Sequence, residues 1–226
     1  MLRLIHHPMS VGSRFVRLLL GEINAKQDLV EEPFWLRRPE FLAINPGGQV
    51  PVLIENDGPA LVGCPAIMEY LDEVHAFSRG DYRLMPDNAN ARAEVRRLVE
   101  WWTVKFDQEV IRYFVHEKFI KREIGGGSPE SGVLRAARTN MRHHLSYVGY
   151  LAETRDWIAG NTLTYADFAA AAALSICDYL GEVSWEQDQH ARNWYARLKS
   201  RPSFRPLLGE TLRGLPPAPS YADLDF

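Results

Sequence analysis

Apolar residues recur along this chain with two spacings, and the change from one to the other divides it into two parts. In the first third, short runs of strand type are separated by turn residues and one helical stretch. From residue 89 onward, apolar residues follow the helical period of about 3.6 residues over long stretches. The pattern predicts an α/β domain followed by an all-α domain. The predicted strands are Leu2–Ile5, Asp28–Glu32, Pro51–Ile54 and Ala60–Val62, and the long predicted helices cover 89–121 and 130–155.

The first predicted helix follows the first strand after a short loop, and two serines lie where it begins. Phe15, Val16 and Leu19 share one face of this helix, as in a helix packed on a core. Ser10 and Ser13 precede or open the run. Two interpretations of these hydroxyls stay open. They cap the helix, or one of them donates a hydrogen bond to an anion bound beside the helix start.

The stretch 45–71 predicts a turn, a strand, a tight turn, a second strand and a helix in that order. Its first four residues, Asn-Pro-Gly-Gly, are dense in turn formers. The Asn-Asp-Gly sequence at 56–58 tolerates positive φ and predicts a β-hairpin. Pro65 suits the first position of the helix, because its φ is already helical and its missing N–H has no intrahelical partner there.

Turn-rich and proline-rich segments set the predicted domain limits. Thr164 and Asp167 have the spacing of a capping box, so a buried helix is predicted to begin there. The segment 214–220 contains three prolines and is predicted to be extended. The predicted division is 1–78 for the α/β domain, 79–87 for a linker, 88–213 for the helical domain and 214–226 for an extended tail.

Composition narrows the classes of function. The 226 residues are 46% hydrophobic, which is enough for one large or two small cores. The net charge of −3 lacks the positive excess that is typical of proteins that bind nucleic acid. No apolar run is long enough to span a membrane.

The two cysteines, Cys64 and Cys177, and the pair His6–His7 lack the spacing of a metal site. We expect reduced thiols in a cytoplasmic protein, with Cys64 either reactive or simply buried.

The stretch 45–71 resembles the glutathione-binding half of glutathione S-transferases, whose pattern is Asn-Pro-x-Gly-x-Val-Pro, a hairpin and Ala-Ile-x-x-Tyr-Leu. The segment 158–167 resembles the Gly-x-x-Leu-Ser/Thr-x-Ala-Asp motif of the same family. The resemblance implies a thioredoxin-like first domain with a cis Val50–Pro51 bond, an all-helical second domain and a homodimer. It also implies that the Val50 main chain pairs with an extended peptide. The matching residues of the first motif are Asn45, Pro46, Gly48, Val50, Pro51, Ala66, Ile67, Tyr70 and Leu71.

The chain departs from the family pattern where the γ-glutamyl end of glutathione is held. The family has an acidic residue or Gln followed by Ser, whereas this chain has Gly63 and Cys64. Gly63 offers no side chain and Cys64 only a weak donor. Losing two hydrogen bonds to a charged group weakens binding by about 3–6 kcal/mol. We expect a degenerate glutathione site at Val50, Pro51, Gly63 and Cys64, with glutathione bound weakly or not at all.

Two further features favour interaction with other proteins. Trp35 lies in a predicted loop between prolines 33 and 39, flanked by arginines and acids, and either anchors a partner or covers its own domain. The end of the chain carries Asp223, Asp225 and Phe226 after the Pro-rich spacer. It is either a frayed end or a tethered recognition peptide that the spacer holds clear of the body of the protein.

Two functions follow from the resemblance. One is a glutathione-dependent transferase acting on small electrophiles, with Ser10 or Ser13 as the candidate catalytic hydroxyl. The other is a non-catalytic protein, because the chain resembles glutathione S-transferase-like proteins of bacterial cell division. That resemblance implies a cytoplasmic homodimer at the division site that binds FtsZ filaments and promotes constriction. It also implies contact between the tail and the septal cell-wall synthesis machinery.

Overall fold

A four-stranded sheet begins the computed structural model of this chain, which describes residues 1–56, 58–75 and 83–224. The order across the sheet is β2-β1-β3-β4. The pair β1–β2 is parallel, and the pairs β1–β3 and β3–β4 are antiparallel. A parallel pair needs a crossover, and a helix supplies it here. The strands are β1 Leu2–His6, β2 Gln27–Glu31, β3 Val52–Glu55 and β4 Leu61–Val62.

Three helices pack with the sheet. They are α1 Val11–Glu22, α2 Pro39–Ile44 and α3 Cys64–His75, with a 3-10 turn at Phe34–Leu36. The loop predicted between prolines 33 and 39 contains the 3-10 turn, and α2 after it was not predicted. The six residues of α2 are too few to show helical periodicity in sequence, and Phe41 is the buried residue that holds α2 down. Helix α3 begins one residue before Pro65, so the proline occupies its second position.

The second part of the chain is helical, as the apolar spacing predicts. Helix α4, Ala89–Glu100, continues to residue 123 through three π-helical segments at Trp101–Lys105, Asp107–Ile111 and His116–Ile120. No strand occurs between 83 and 224, where only two isolated β-bridges are found. The predicted fold class is confirmed. The predicted linker overlaps residues 76–82, which lie outside the described residues. The later helices are α5 Ser131–Thr154, α6 Tyr165–Tyr179, α7 Gln189–Lys199 and α8 Arg205–Leu208.

Helix α6 is the centre of the molecule, since all of its residues are buried. Its run of five alanines, 169–173, lets α1 of the sheet domain pack closely against it. The predicted capping box starts this helix. Thr164 accepts from the Ala166 N–H at 3.3 Å, and Asp167 accepts from the Thr164 N–H at 2.9 Å. Asp167 accepts two further hydrogen bonds at 3.0 Å, from the Ile158 N–H and the Trp194 indole.

The C-terminal segment packs on the helical domain. The expectation that the spacer is held away from the body of the protein is therefore wrong for residues 215–221. The Ala218 N–H donates to the Tyr179 carbonyl at 2.9 Å, and the Tyr179 hydroxyl donates to the Leu215 carbonyl at 2.6 Å. Tyr221 has no exposed surface. Proline composition predicts extension but carries no information about docking. Asp223 is exposed, and Asp225 and Phe226 lie outside the described residues.

A buried cation joins this docked segment to the sheet domain. The guanidinium of Arg14, on α1, has no exposed surface. Its Nε donates to the Pro8 carbonyl at 2.7 Å, and its Nη1 donates to the Ser175 and Tyr221 hydroxyls at 2.9 Å each. The Tyr221 hydroxyl donates in turn to the Leu207 carbonyl at 3.2 Å. One side chain thus connects the loop before α1, helix α6 and the C-terminal segment.

The first prediction concerns the start of α6. Replacing Asp167 by Ala removes the acceptor of four buried donors, because the Thr164 hydroxyl also donates to it. We expect the free energy of unfolding to fall by about 3–5 kcal/mol. Asp188→Ala is the matched control, since Asp188 caps α7 with a hydrogen bond from the Ala191 N–H. That control is expected to lose about 1 kcal/mol. Urea unfolding measures both, and equal losses would contradict the central role of Asp167.

The second prediction concerns the Tyr221 anchor. Tyr221→Phe keeps the ring and removes the hydroxyl, so Arg14 loses an acceptor in the interior. We expect the free energy of unfolding to fall by about 1–3 kcal/mol and hydrogen exchange to rise over 215–224. Tyr150→Phe serves as the control, because Tyr150 is 60% exposed, and its effect should stay within about 0.5 kcal/mol. Unchanged exchange in the C-terminal segment would show that Arg14 does not hold it.

Candidate binding cleft

A cleft of about 720 Å³ lies where the sheet domain meets the long helical run. Ser10, Val50 and Cys64 line it from the sheet domain, and Thr103 and Asp107 line it from the helical run. Its volume is within the range of about 300–1,000 Å³ typical of small-ligand sites. The structure therefore brings together Ser10 and the predicted glutathione-site residues, and it adds residues from the helical domain that the sequence did not single out.

The main chain of Val50 is available to form hydrogen bonds with a ligand in the cleft. The Val50–Pro51 bond is cis, as predicted. Asn45 fixes the turn before it, since its amide donates to the Gln49 carbonyl at 2.7 Å and its carbonyl accepts from the Gly47 N–H at 3.0 Å. Within residues 1–56, 58–75 and 83–224, no hydrogen bond to the Val50 main chain is found. An extended segment in the cleft can pair there without displacing a native hydrogen bond.

The two candidate hydroxyls both hold the start of α1. Ser10 is its N-cap and accepts from the Ser13 N–H at 3.3 Å. Ser13 is fully buried and accepts from the His7 N–H at 3.1 Å. Of the two, Ser10 lines the cleft. Their positions fit the capping interpretation, and the geometry leaves Ser10 as the hydroxyl that a cleft ligand can reach.

The wall at Gly63 and Cys64 is poorly suited to a γ-glutamyl group. Gly63 has a φ of 87°, a conformation that favours glycine and strains any side chain. The Cys64 sulfur lies against α1, because a Cβ added at Gly12 would sit 2.3 Å from it. Burial raises the pKa of the Cys64 thiol to about 12. Cys64 is therefore a neutral packing residue at neutral pH, and the interpretation as a reactive thiol is not supported.

Asp107 brings an acidic group to the opposite wall of the cleft. Burial raises the pKa of its carboxyl to about 6, against the lowering effect of the Arg112 guanidinium. The carboxyl is close enough to Cys64 that its charge raises the pKa of that thiol further. At neutral pH this wall carries a partly desolvated negative charge. Such a charge repels the carboxylates of glutathione and attracts its ammonium group.

Trp35 lies in an aromatic cluster beside the cleft. Its ring meets the rings of His7, Phe34 and Phe119 edge-on, with centroids 4.9, 5.3 and 5.5 Å away. Burial lowers the pKa of His7 to about 4, and its Nδ1 accepts from the Met9 N–H at 3.1 Å. The imidazole is neutral and packs as an aromatic ring. Trp35 is half-buried, so it covers its own domain with one face, and the neighbouring Leu36 is 56% exposed.

Asp107 is the cleft residue that sequence reasoning missed. It opens a π-helical segment, Asp107–Ile111, where the helical period that assigns residues to faces no longer holds. π-helical segments occur often at functional sites, but nothing in the local sequence marks this one.

Two kinds of site find no support in the described ranges. Residues 1–56, 58–75 and 83–224 contain no group of three His, Cys, Asp or Glu side chains arranged to hold a metal ion. In the same ranges, no helix is long and apolar enough to cross a membrane.

Comparisons with known proteins identify family models, a sequence and structures that are similar to this chain. The family model "Glutathione S-transferase, N-terminal domain" matches residues 10–74, and "Glutathione S-transferase, C-terminal domain" matches residues 108–202. FtsZ-localized protein A of Caulobacter vibrioides is 44% identical over 99% of this chain and 98% of its own. The structure of FzlA from C. crescentus aligns with a TM-score of 0.92 and 43% identity, over 100% of this chain and 99% of its own. A structure described as a glutathione S-transferase from Sinorhizobium meliloti aligns over both full chains with a TM-score of 0.96 and 48% identity.

The third prediction tests the charge in the cleft. The carboxyl of Asp107 binds its proton more tightly in the folded than in the unfolded chain, so its stabilising contribution is present below pH 4 and is lost as the pH rises through about 6. Asp107→Asn stays neutral, and we expect it to raise the free energy of unfolding by about 1–3 kcal/mol at pH 8. At pH 4.5 the gain should be much smaller.

Urea unfolding at the two pH values measures this difference. Asp87→Asn is the control, since the Asp87 side chain is 92% exposed and its replacement should change stability by less than about 0.5 kcal/mol. An Asp107→Asn variant that is less stable than the wild type at pH 8 would contradict the assignment.

Proposed function

The chain belongs to the glutathione S-transferase family, and within it we propose a non-catalytic cell-division protein that binds FtsZ filaments and promotes constriction. The observation that carries the proposal is the full-length 44% identity to a protein named for its localisation to FtsZ. The alignment covers 99% of this chain and 98% of that protein, so it includes both domains. We place the protein in the cytoplasm, at the division site.

The cleft supports a function other than glutathione transfer. At the γ-glutamyl position, Gly63 has no side chain and Cys64 is a half-buried thiol that stays neutral. Across the cleft, Asp107 adds negative charge. Ser10 is engaged as a helix cap. A glutathione transferase remains the second candidate, because the 48% identical structure from Sinorhizobium meliloti is described as one.

Filament binding gains from a homodimer, which we propose on the pattern of the family. Two identical faces related by a two-fold axis can contact two protomers of one polymer. The second contact then forms at high effective concentration, so weak individual contacts suffice. We propose that Trp35 and Leu36 form the contact face, since Trp35 is held in place by ring packing on one side and Leu36 projects into solvent.

The end of the chain is proposed to contact a second partner, the septal cell-wall synthesis machinery. Docking of Tyr221 fixes the place after which the exposed residues 222–224 follow. Asp223 and Asp225 supply charge for a basic partner surface, and Phe226 supplies apolar contact.

The fourth prediction is that glutathione binds with a millimolar dissociation constant or not at all. The reason is the loss of two hydrogen bonds to the γ-glutamyl group, worth about 3–6 kcal/mol together, and repulsion from Asp107. Isothermal titration calorimetry at pH 7.5 measures the constant. A micromolar constant, with turnover of an electrophile that Ser10→Ala abolishes, would replace the proposal with the transferase.

The fifth prediction concerns co-sedimentation with polymerised FtsZ. Leu36→Ser and Trp35→Ala should each weaken co-pelleting, by about 30-fold if the residue contributes about 2 kcal/mol. Leu36→Ser is the sharper variant, because the Leu36 side chain is mostly exposed and its loss should leave the fold intact. Tyr150→Ser, which alters a similarly exposed side chain on α5, is the matched control and should co-pellet like the wild type.

Asp225→Lys separates the two partners. We expect this variant to co-pellet normally with FtsZ but to impair division in cells, because the terminus is assigned to the second partner. Wild-type protein that stays in the supernatant with polymerised FtsZ would refute the proposed filament binding.

A further inference from the structure

The Asp107 carboxylate lines the cleft without a bonding partner. In the ranges 1–56, 58–75 and 83–224, no side chain forms a hydrogen bond or ion pair with it. The charged group that acts on its pKa is Arg112, further along the same helical run, whose exposed side chain also lines the cleft. Cys64 faces it from the start of α3 as a neutral thiol. His116, exposed on the same run, also lines the cleft. None of these groups neutralises the carboxylate by direct contact.

The remaining surface of the cleft is suited to an extended chain. Apolar side chains of the helical run, including Val104, Ile111 and Ile120, form one wall. Val50 on the other wall presents its main chain without a partner. Aliphatic carbons of a long side chain can lie on the apolar wall while its charged end reaches an acid. Main-chain pairing, apolar contact and one unpaired carboxylate therefore meet in one cavity.

We propose that this cleft binds an extended, positively charged peptide segment of a partner protein. The main chain of the segment pairs with Val50, and a lysine or arginine side chain pairs with Asp107. A glutathione site must in addition hold two carboxylates. The inference stands apart from filament binding through Trp35 and Leu36, so either proposal can fail while the other holds.

A charge-assisted contact inside the cleft should dominate selectivity. A hydrogen bond between an ammonium or guanidinium group and a carboxylate is about twice as strong as one between neutral groups. Partial desolvation of Asp107 strengthens it further, because the carboxylate gives up little hydration when the ligand arrives. We expect at least about tenfold tighter binding of a cationic peptide than of its neutral or acidic counterpart.

The test uses the full-length protein and three acetylated tripeptide amides, Val-Lys-Gly, Val-Gln-Gly and Val-Glu-Gly, titrated at pH 7.5 by two-dimensional NMR. The lysine peptide should bind tightest, with shifts at residues 50, 64 and 107. Asp107→Asn should remove the preference for lysine, and Asp87→Asn should keep it. Lowering the pH to 4.5 should also remove the preference, because Asp107 is then protonated. Equal binding of the three peptides by the wild type would overturn the proposal.

Two further probes separate a peptide from a free amine. Spermidine carries the charge without a peptide main chain, and the lysine peptide N-methylated at its central amide carries the charge with impaired pairing. Both should bind at least about fivefold more weakly than the lysine peptide, since each lacks main-chain hydrogen bonds. Equal affinity for spermidine would overturn the assignment to a peptide segment. Asp107→Asn should co-sediment with FtsZ at wild-type levels, because the Asp107 carboxylate is not part of the proposed filament face.

Discussion

The interior position of the Arg14 guanidinium constrains the rest of this structure. An ion removed from water loses several kcal/mol of solvation, which only well-placed hydrogen bonds recover. Here the acceptors come from three separate parts of the chain: the loop before α1, helix α6 and the C-terminal segment. The sheet domain, the helical domain and the end of the chain must therefore assemble together around one cation. Residues 215–221 are an integral part of the fold, although their proline content is typical of a linker.

The sequence predicts the parts of this fold that depend on local rules. The hairpin with Val50–Pro51 and the capping box of Thr164 and Asp167 rely on residues close together in the chain, and both were found where predicted. The docking of Tyr221 on Arg14 joins residues 207 positions apart, and no local pattern encodes such a contact. For the cleft, a position of Gly63 and Cys64 in its wall was predictable from the sequence, and the loss of the γ-glutamyl contacts stays a prediction. The position of Asp107 in the cleft wall was not predictable, because it depends on the direction in which side chains point from a π-helical segment.

The fold and the lining of the cleft depend on different residues. The residues that form the turn at Val50 and the start of α6 are fixed by hydrogen bonding and packing, and none of them needs a ligand to be stable. Gly63, Cys64 and Asp107 lie on the cleft wall, where the residue type sets the charge and the hydrogen-bond donors that a ligand meets. Fold similarity to transferases is thus compatible with either proposed activity, and the side chains of the cleft must decide between them.

The cleft and the proposed filament face share one structural element. Phe34 lines the cleft and also meets the Trp35 ring edge-on at 5.3 Å. Both residues belong to the 3-10 turn Phe34–Leu36. Arg37 follows this turn with a φ of 47°, a left-handed conformation that is strained for a residue other than glycine. An occupant of the cleft that moves Phe34 also moves Trp35, since close-packed rings cannot shift independently. Thermodynamic linkage then requires that any effect of a cleft ligand on filament affinity be matched by an equal effect of the filament on ligand affinity. The short segment between β2 and α2, rather than the sheet or the helical core, is where such coupling would arise.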